Sequence, residues 1–350
     1  MIELHPQLVS KLRQGGVKEL RDSLQSAVML EHATIPVYLY ALYSIKPESL
    51  TPDRNLAVYN LLRSVVLEEM IHMSLACNIL NAVGGKPKLD NPEFVPQFPG
   101  PLPGAIDNGL IVGLRPFSKQ RVHDEFMAIE EPENPLEFPV STMGAEADAP
   151  PAPTTIGQFY AAIRDQIEAL GQAVFTGDPS RQVSGAPFFP ELQPVTDVAS
   201  AVAAINLIVE EGEGTSTSPL DQEDELAHYY KFAEIWNGRR LIATPEPPGY
   251  AYAGDPIPFD PTGVWPAVSD PHKGSYPAGS AARYASDTFN YTYTTLLRSL
   301  HATFNGRPDQ FGTAVGVMES LKTQAIALFA MDVGGGMTAG PTFEYQPTNP

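Results

Sequence analysis

Two stretches of the chain, Val17 to about Ile45 and Leu56 to Val83, carry apolar residues at spacings of three and four, with Pro47 and Pro52 in the short break between them. Leu20, Leu24, Val28, Ile35, Tyr38 and Leu42 make the first stripe, which is the period of a helix buried along one face. The second run stops at Gly84-Gly85, a helix C-terminal signal. Two long helices joined by so short a connection fold back as an antiparallel pair, and the rest of the chain must cover them.

Both stripes are interrupted by groups that are costly to bury. Glu31 stands where the first stripe calls for an apolar residue. Glu69 and His72, three apart and so on one helix face, fall on the stripe of Leu62, Val65, Val66, Met73, Ala76 and Leu80. A buried glutamate is expensive unless it is paired or binds a metal. In an antiparallel hairpin, residues equidistant from the turn lie level, and the midpoint of Glu31 and Glu69 is Leu50, inside the break. A second Glu-x-x-His occurs at Glu225 and His228. Ser218-Pro219 reads as an N-cap and first helical position for a helix running to Asn237-Gly238, after a helix from about Val195 to Glu213. Glu213 with Glu225 centres on Pro219, and Glu210 with Glu225 centres between Thr217 and Ser218, so either Glu210 or Glu213 can face the second pair. Glu211 is rotated by about 100° from its neighbours and reads as solvated.

A glutamate from each of two helices with Glu-x-x-His from two others is the di-iron or di-manganese carboxylate set of four-helix bundles. Oxygen donors with two imidazoles suit iron or manganese, and the lone cysteine, Cys77, excludes a thiolate cluster. The segments that carry this pattern are LEHATIPVYLYALYSIKP (Leu30 to Pro47), LEEMIHMSLACNILNAVGG (Leu67 to Gly85), IVEEGEGTSTSP (Ile208 to Pro219) and ELAHYYKFAEI (Glu225 to Ile235). They resemble the ferritin-like superfamily, and within it the ferritin-like domain of the iminophenyl-pyruvate dimer synthases of the violacein and chromopyrrolate pathways. The resemblance implies an all-α, ferritin-like bundle and puts the family's metal pattern on Glu31, Glu69, His72, Glu225 and His228, with Glu210 or Glu213 as the remaining carboxylate. It implies two iron ions, manganese being compatible, and O2 or peroxide as co-reactant. The catalytic side chains are left unassigned.

The remaining sequence reads as additions to that bundle, within a single domain over 1–350. Residues 17–85 form the first ligand hairpin, 86–153 a loop-rich insertion, and 154–240 further helices with the second ligand hairpin. Residues 241–279 make a Pro/Gly-rich loop, 280–332 a C-terminal helix pair and 333–350 an extended tail. Thr154 or Thr155 caps a helix through about Phe175. The 35 prolines are a tenth of the chain, about twice the usual share, and concentrate in these loops.

A net charge of −19 opposes nucleic acid and anionic membranes. No run approaches a membrane span and the N-terminus lacks a signal-peptide pattern, so a cytoplasmic location is expected. Some residues have a structural reading beside a functional one. Pro36, inside the first helix, frees the carbonyl of His32, which either opens a substrate pocket beside Glu31 or serves packing. His32 supports the core or the ligands, Glu68, four residues from His72, is an extra carboxylate or faces an interface or water, and His301 is structural. Tyr38, Tyr43, Tyr229, Tyr230 and Trp236 belong to the core or to a pocket wall. The acidic Glu130 to Glu137 run reads as a solvated loop.

The leading expectation is a non-haem dinuclear metal oxidoreductase that acts on a small organic substrate, with a homodimer compatible. Two others stand beside it: coupling of an amino-acid-derived imine, and iron or peroxide handling without an organic substrate.

Overall fold

The computed structural model describes residues 4–105, 109–133, 135–139, 155–215, 217–221, 224–245 and 247–348. The helices are α1 (Pro6–Gln14), α2 (Val17–Tyr43), α3 (Leu56–Ala82), α4 (Lys119–Arg121), α5 (Met127–Ile129), α6 (Ile156–Leu170), α7 (Val198–Glu213), α8 (His228–Asn237), α9 (Ala281–Phe304) and α10 (Phe311–Phe329). Short antiparallel pairs join β1 (Gly100–Pro101) to β2 (Ile111–Val112), β3 (Arg239–Ala243) to β4 (Tyr250–Pro256) and β5 (Asp332–Gly334) to β6 (Met337–Thr338). The fold is mainly helical, and among the described residues no helix is long and apolar enough to cross a membrane.

The α2–α3 hairpin is the centre of the molecule. From Leu30 to Ile45 and from Ile71 to Val83 every residue is buried, so these halves are covered all round. On one side they meet α6, α7 and α8, and on the other α9 and α10. Pro47–Ser49 makes a 3-10 turn between the two long helices. The Arg54–Asp260 ion pair (2.7 Å) and the Asn55 side chain, bonded to Ser49 Oγ and the Asp260 carbonyl, tie that turn to the loop before α9.

Two boundaries differ from the sequence reading. Thr155 caps α6 through the Gln158 N–H, but the helix ends at Leu170 and a 3-10 turn, Gln172–Val174, replaces its expected last turn; Thr154 lies outside the described residues. More consequentially, α8 begins at His228, not at Ser218-Pro219. The Ser218 hydroxyl accepts the Leu220 N–H and closes a local turn. The chain then doubles back through a Leu220–Leu226 bridge, with Asp221 N–H bonded to the Glu225 carbonyl and Ala227 N–H to that of Pro219. In the tail β5–β6 makes a tight antiparallel pair, and beyond it Thr342 and Phe343 are buried against α9.

Candidate metal centre

The site lies where α2, α3, α6, α7, the start of α8 and the Glu130 corner meet. Glu31 and Thr34 from α2 face Glu69 and His72 from α3, all nearly inaccessible. The two helices stand level there, because the Thr34 hydroxyl contacts Glu69 Oε2 at 2.8 Å. His228 stands at the first position of α8, fully buried, and its ring lies over that of His72 at 5.4 Å between centroids. Glu69, His72 and His228 each present a donor atom, all within 4.8 Å of one another.

Each imidazole has an outer and an inner nitrogen. Nε2 of His72 bonds Glu211 Oε2 at 2.6 Å, leaving Nδ1 toward Glu31 Oε2 at 3.8 Å. Nε2 of His228 bonds Glu68 Oε2 at 2.9 Å, while Nδ1 lies 3.0 Å from Glu69 Oε1 and 3.5 Å from Glu130 Oε2, without hydrogen-bond geometry to either. Lys231, one turn along α8, fastens Glu68 at 2.5 Å. Two tyrosines hold the other carboxylates: Tyr160 of α6 donates to Glu31 Oε1 at 2.5 Å, and Tyr38 of α2 to Glu130 Oε1.

Glu130 arrives on a short helical run whose middle, Val122–Phe126, has π-helical winding. Such windings are frequent at functional sites. Phe126 of this run packs edge-on to Tyr38 (4.9 Å). Arg121 pairs with Glu125 at 2.9 Å and also donates to the Arg115 and Gly113 carbonyls, which pins the run to its own loop.

So many carboxylates in one buried place cannot all be charged comfortably. Burial, with the nearby Glu69 charge, pushes Glu31 up to about 8, and the same two causes raise Glu130. Burial lifts Glu213 to about 7. Burial also works against the charged forms of Glu69 and Glu68, but contacts with His228 overcome it; Glu69 is held below its ordinary value and Glu68 falls to about 2. Burial lowers both histidines, yet Glu211 carries His72, and Glu130, Glu68 and Glu69 carry His228, above the usual imidazole range. His32 behaves differently. Burial drives it to about 3, it stays neutral, and it bonds the Tyr293 hydroxyl on the far side of α2.

Of the residues singled out from sequence, Glu31, Glu69, His72 and His228 come together. Glu213 reaches the edge of the group: it shares a cavity of about 30 Å³ with Glu31, Glu69, His72 and Glu130, and accepts the Gly157 N–H at 2.8 Å. A side chain at 157 would put its Cβ 2.7 Å from that carboxylate. Glu210 is half-buried and does not line this cavity. Glu225 is exposed, in the loop before α8, because the helix that was to carry it starts three residues later. Glu130 and Glu211, read from sequence as solvated, are buried members of the group instead.

The residues 24–237 match the Ferritin-like family. The chain belongs to the ferritin-like family. It is 27% identical to the dichlorochromopyrrolate synthase of Lentzea aerocolonigenes, an alignment that takes in 93% of this chain but 36% of that protein, so the chain spans about a third of its relative's length. The crystal structure of a ferritin-like protein from Caulobacter vibrioides superposes with a TM-score of 0.59 at 25% identity, covering 93% of this chain and 97% of that one. The likeness thus extends beyond the four segments quoted from the sequence over nearly all of this ferritin-like chain.

Proposed function

We propose that this protein holds a dinuclear iron or manganese centre between the α2–α3 hairpin and the α7–α8 region, and uses it for oxidative chemistry on a small organic molecule. One observation carries the reading: Nδ1 of His228 is buried, points between Glu69 and Glu130, and has no hydrogen-bond partner. A cation between these groups would take that nitrogen once it is deprotonated. The same cation would offset the burial and the nearby Glu69 charge that push Glu31 and Glu130 up.

The residues fit a metal in kind and in arrangement. Glu31, Glu69, Glu130 and Nδ1 of His72 and His228 would be the donors, with Glu213 at the margin. Such a centre supplies redox and Lewis-acid chemistry with O2 or peroxide. The protein's own task is orientation. Glu211 and Glu68 engage Nε2 of the two histidines, which turns the Nδ1 atoms inward, where their lone pairs would meet a metal once the rings are neutral. Tyr160, Thr34 and Tyr38 each fix one inner carboxylate, and the dry surroundings keep bulk water from these groups. A small-molecule substrate in secondary metabolism follows from the likeness to the chromopyrrolate-pathway synthase.

Elemental analysis of protein purified without chelators tests the reading, with Glu69→Ala as control. About two iron or manganese ions per chain, lost in the variant, are expected. No metal, even after anaerobic loading with Fe(II) or Mn(II), refutes it, and a particle that loads many irons per chain replaces it with iron storage.

A further inference from the structure

A second cavity lies on the opposite side of the α2–α3 hairpin from the carboxylates, between that hairpin and the C-terminal pair α9–α10. Its volume is about 60 Å³, several times the about 10–15 Å³ that holds one water but below the about 150 Å³ of an engineered cavity that binds benzene, so a ring would enter by displacing the half-buried rim. The floor is buried and includes His32, Tyr293 and Phe343; the rim, at Leu67, Met70, Phe311 and Met318, is half-buried. No Asp, Glu, Lys or Arg lines it. Pro36 stands in its wall, the proline that cannot donate to the His32 carbonyl one turn earlier.

We propose that this cavity is a binding site for a neutral aromatic molecule of about one ring that carries a single hydroxyl or N–H. The uncharged walls exclude ions, because an ionised group brought here would lose its hydration without a counter-charge. The rings of Phe311, Phe343 and Tyr293 offer edges and faces to another ring, and Met70, Met73 and Met318 adapt to its outline with favourable sulfur–aromatic contacts. The polar requirement comes from the floor. The Tyr293 hydroxyl is engaged by His32 Nε2 at 2.8 Å; whichever of the two donates, the phenol oxygen keeps capacity for one more bond, and no other partner for it is found among the described residues. A ligand hydroxyl or N–H reaching the floor would take that bond.

This site stands independently of the metal centre, since α2 and α3 separate the two and the lining residues share no metal donor. Calorimetric titration of the full chain with p-cresol, toluene, 4-methylbenzoate and 1-hexanol at pH 7 tests it. The expected order is p-cresol first, toluene about three- to tenfold weaker, and 4-methylbenzoate with no detectable heat. Tyr293→Phe should bring p-cresol down to the affinity of toluene and leave toluene unchanged. Met318→Trp, placed at the half-buried rim where a larger side chain disturbs the core least, should abolish binding of both while the circular dichroism stays the same. Absence of p-cresol binding, equal binding by Met318→Trp, or preference for 1-hexanol or 4-methylbenzoate would overturn the proposal. Metal content measured on the same samples tells this failure apart from failure of the metal reading.

Discussion

Glu31→Gln is the substitution that most directly separates what the site costs the fold from what it does for a metal. Glu31 titrates near 8 in the folded protein against an ordinary 4.5, because it is buried and close to the Glu69 charge. Between those two values the folded state holds a proton that the unfolded chain has released. The stability tied to Glu31 is therefore complete below pH 4.5 and is lost as pH rises toward and through 8. At pH 7 about two and a half units of that interval have been crossed, each worth about 1.4 kcal/mol, so the group costs about 3 kcal/mol relative to pH 4. Glutamine has the same shape, can still accept the Tyr160 hydroxyl and does not titrate. In chelator-treated protein the advantage of Glu31→Gln over the parent should thus grow by about 3 kcal/mol from pH 4 to pH 7, which is roughly 4 °C in a melting curve for a chain of 350 residues. Added Fe(II) or Mn(II) should reverse the ranking, since the parent gains by binding and the variant has lost a donor. Melting curves that differ by the same amount at every pH would refute the reasoning and mean that His72 already compensates an ionised Glu31.

Glu130→Gln should weaken Mn(II) binding at least tenfold by calorimetry, whereas Glu225→Gln should leave affinity unchanged and stability within about 0.5 kcal/mol, because Glu225 is exposed; the opposite ranking would restore the four-helix ligand pattern. Since His72 and His228 sit above the usual imidazole range without metal and must be neutral to bind it, cation uptake should expel protons and strengthen as pH rises from about 6 to 8; titration in buffers of different ionisation enthalpy would expose a missing proton release. Lys231→Met should cost about 3 kcal/mol, the low end for a broken buried pair because His228 still faces Glu68, and a denaturant midpoint that does not move would show Glu68 to be satisfied without it. Phe329→Ala should cost about 3–5 kcal/mol, since the ring is fully buried and meets Tyr40 edge-on at 5.1 Å.

The α2–α3 hairpin was legible because three independent signals agree there: the apolar period, the proline break and the level placement of Glu31 and Glu69. The second half misled at one residue. Ser218-Pro219 suits a helix start equally well as a tight turn, and the hydroxyl bond to Leu220 decides for the turn. Fixing the register of α7 from Glu225 then favoured Glu210 and Glu213. The stripe of α7 itself pointed elsewhere: Ala201, Ala204, Ile205 and Ile208, followed onward by threes and fours, arrive at Glu211 and Gly212, both buried. Glu130 had a fainter signal of the same kind, as Val122, Phe126 and Ile129 lead to it at helical spacing. It was obscured by the prolines and acidic residues around it, which make the segment read as loop.

Those two substitutions have a common physical sense. A glutamate one helical turn before His228 would need a helical turn there to aim it inward, and α8 has no such turn. The inner carboxylate beside Nδ1 of His228 must then come from another direction, and Glu130 comes in from the insertion, held by Tyr38 and by the Arg121 anchor of its own loop. The outer position at Nε2 of His72 is filled by Glu211 of α7. The carboxylate–histidine cluster is thus assembled from the central hairpin, the insertion and the α7–α8 region, and it forms only when all three are docked. A cation bound among them would tie these segments together. The insertion that supplies Glu130 also lines the cavity beside these groups through Ile129, so changes in that segment would alter both the charge and the shape of the cluster.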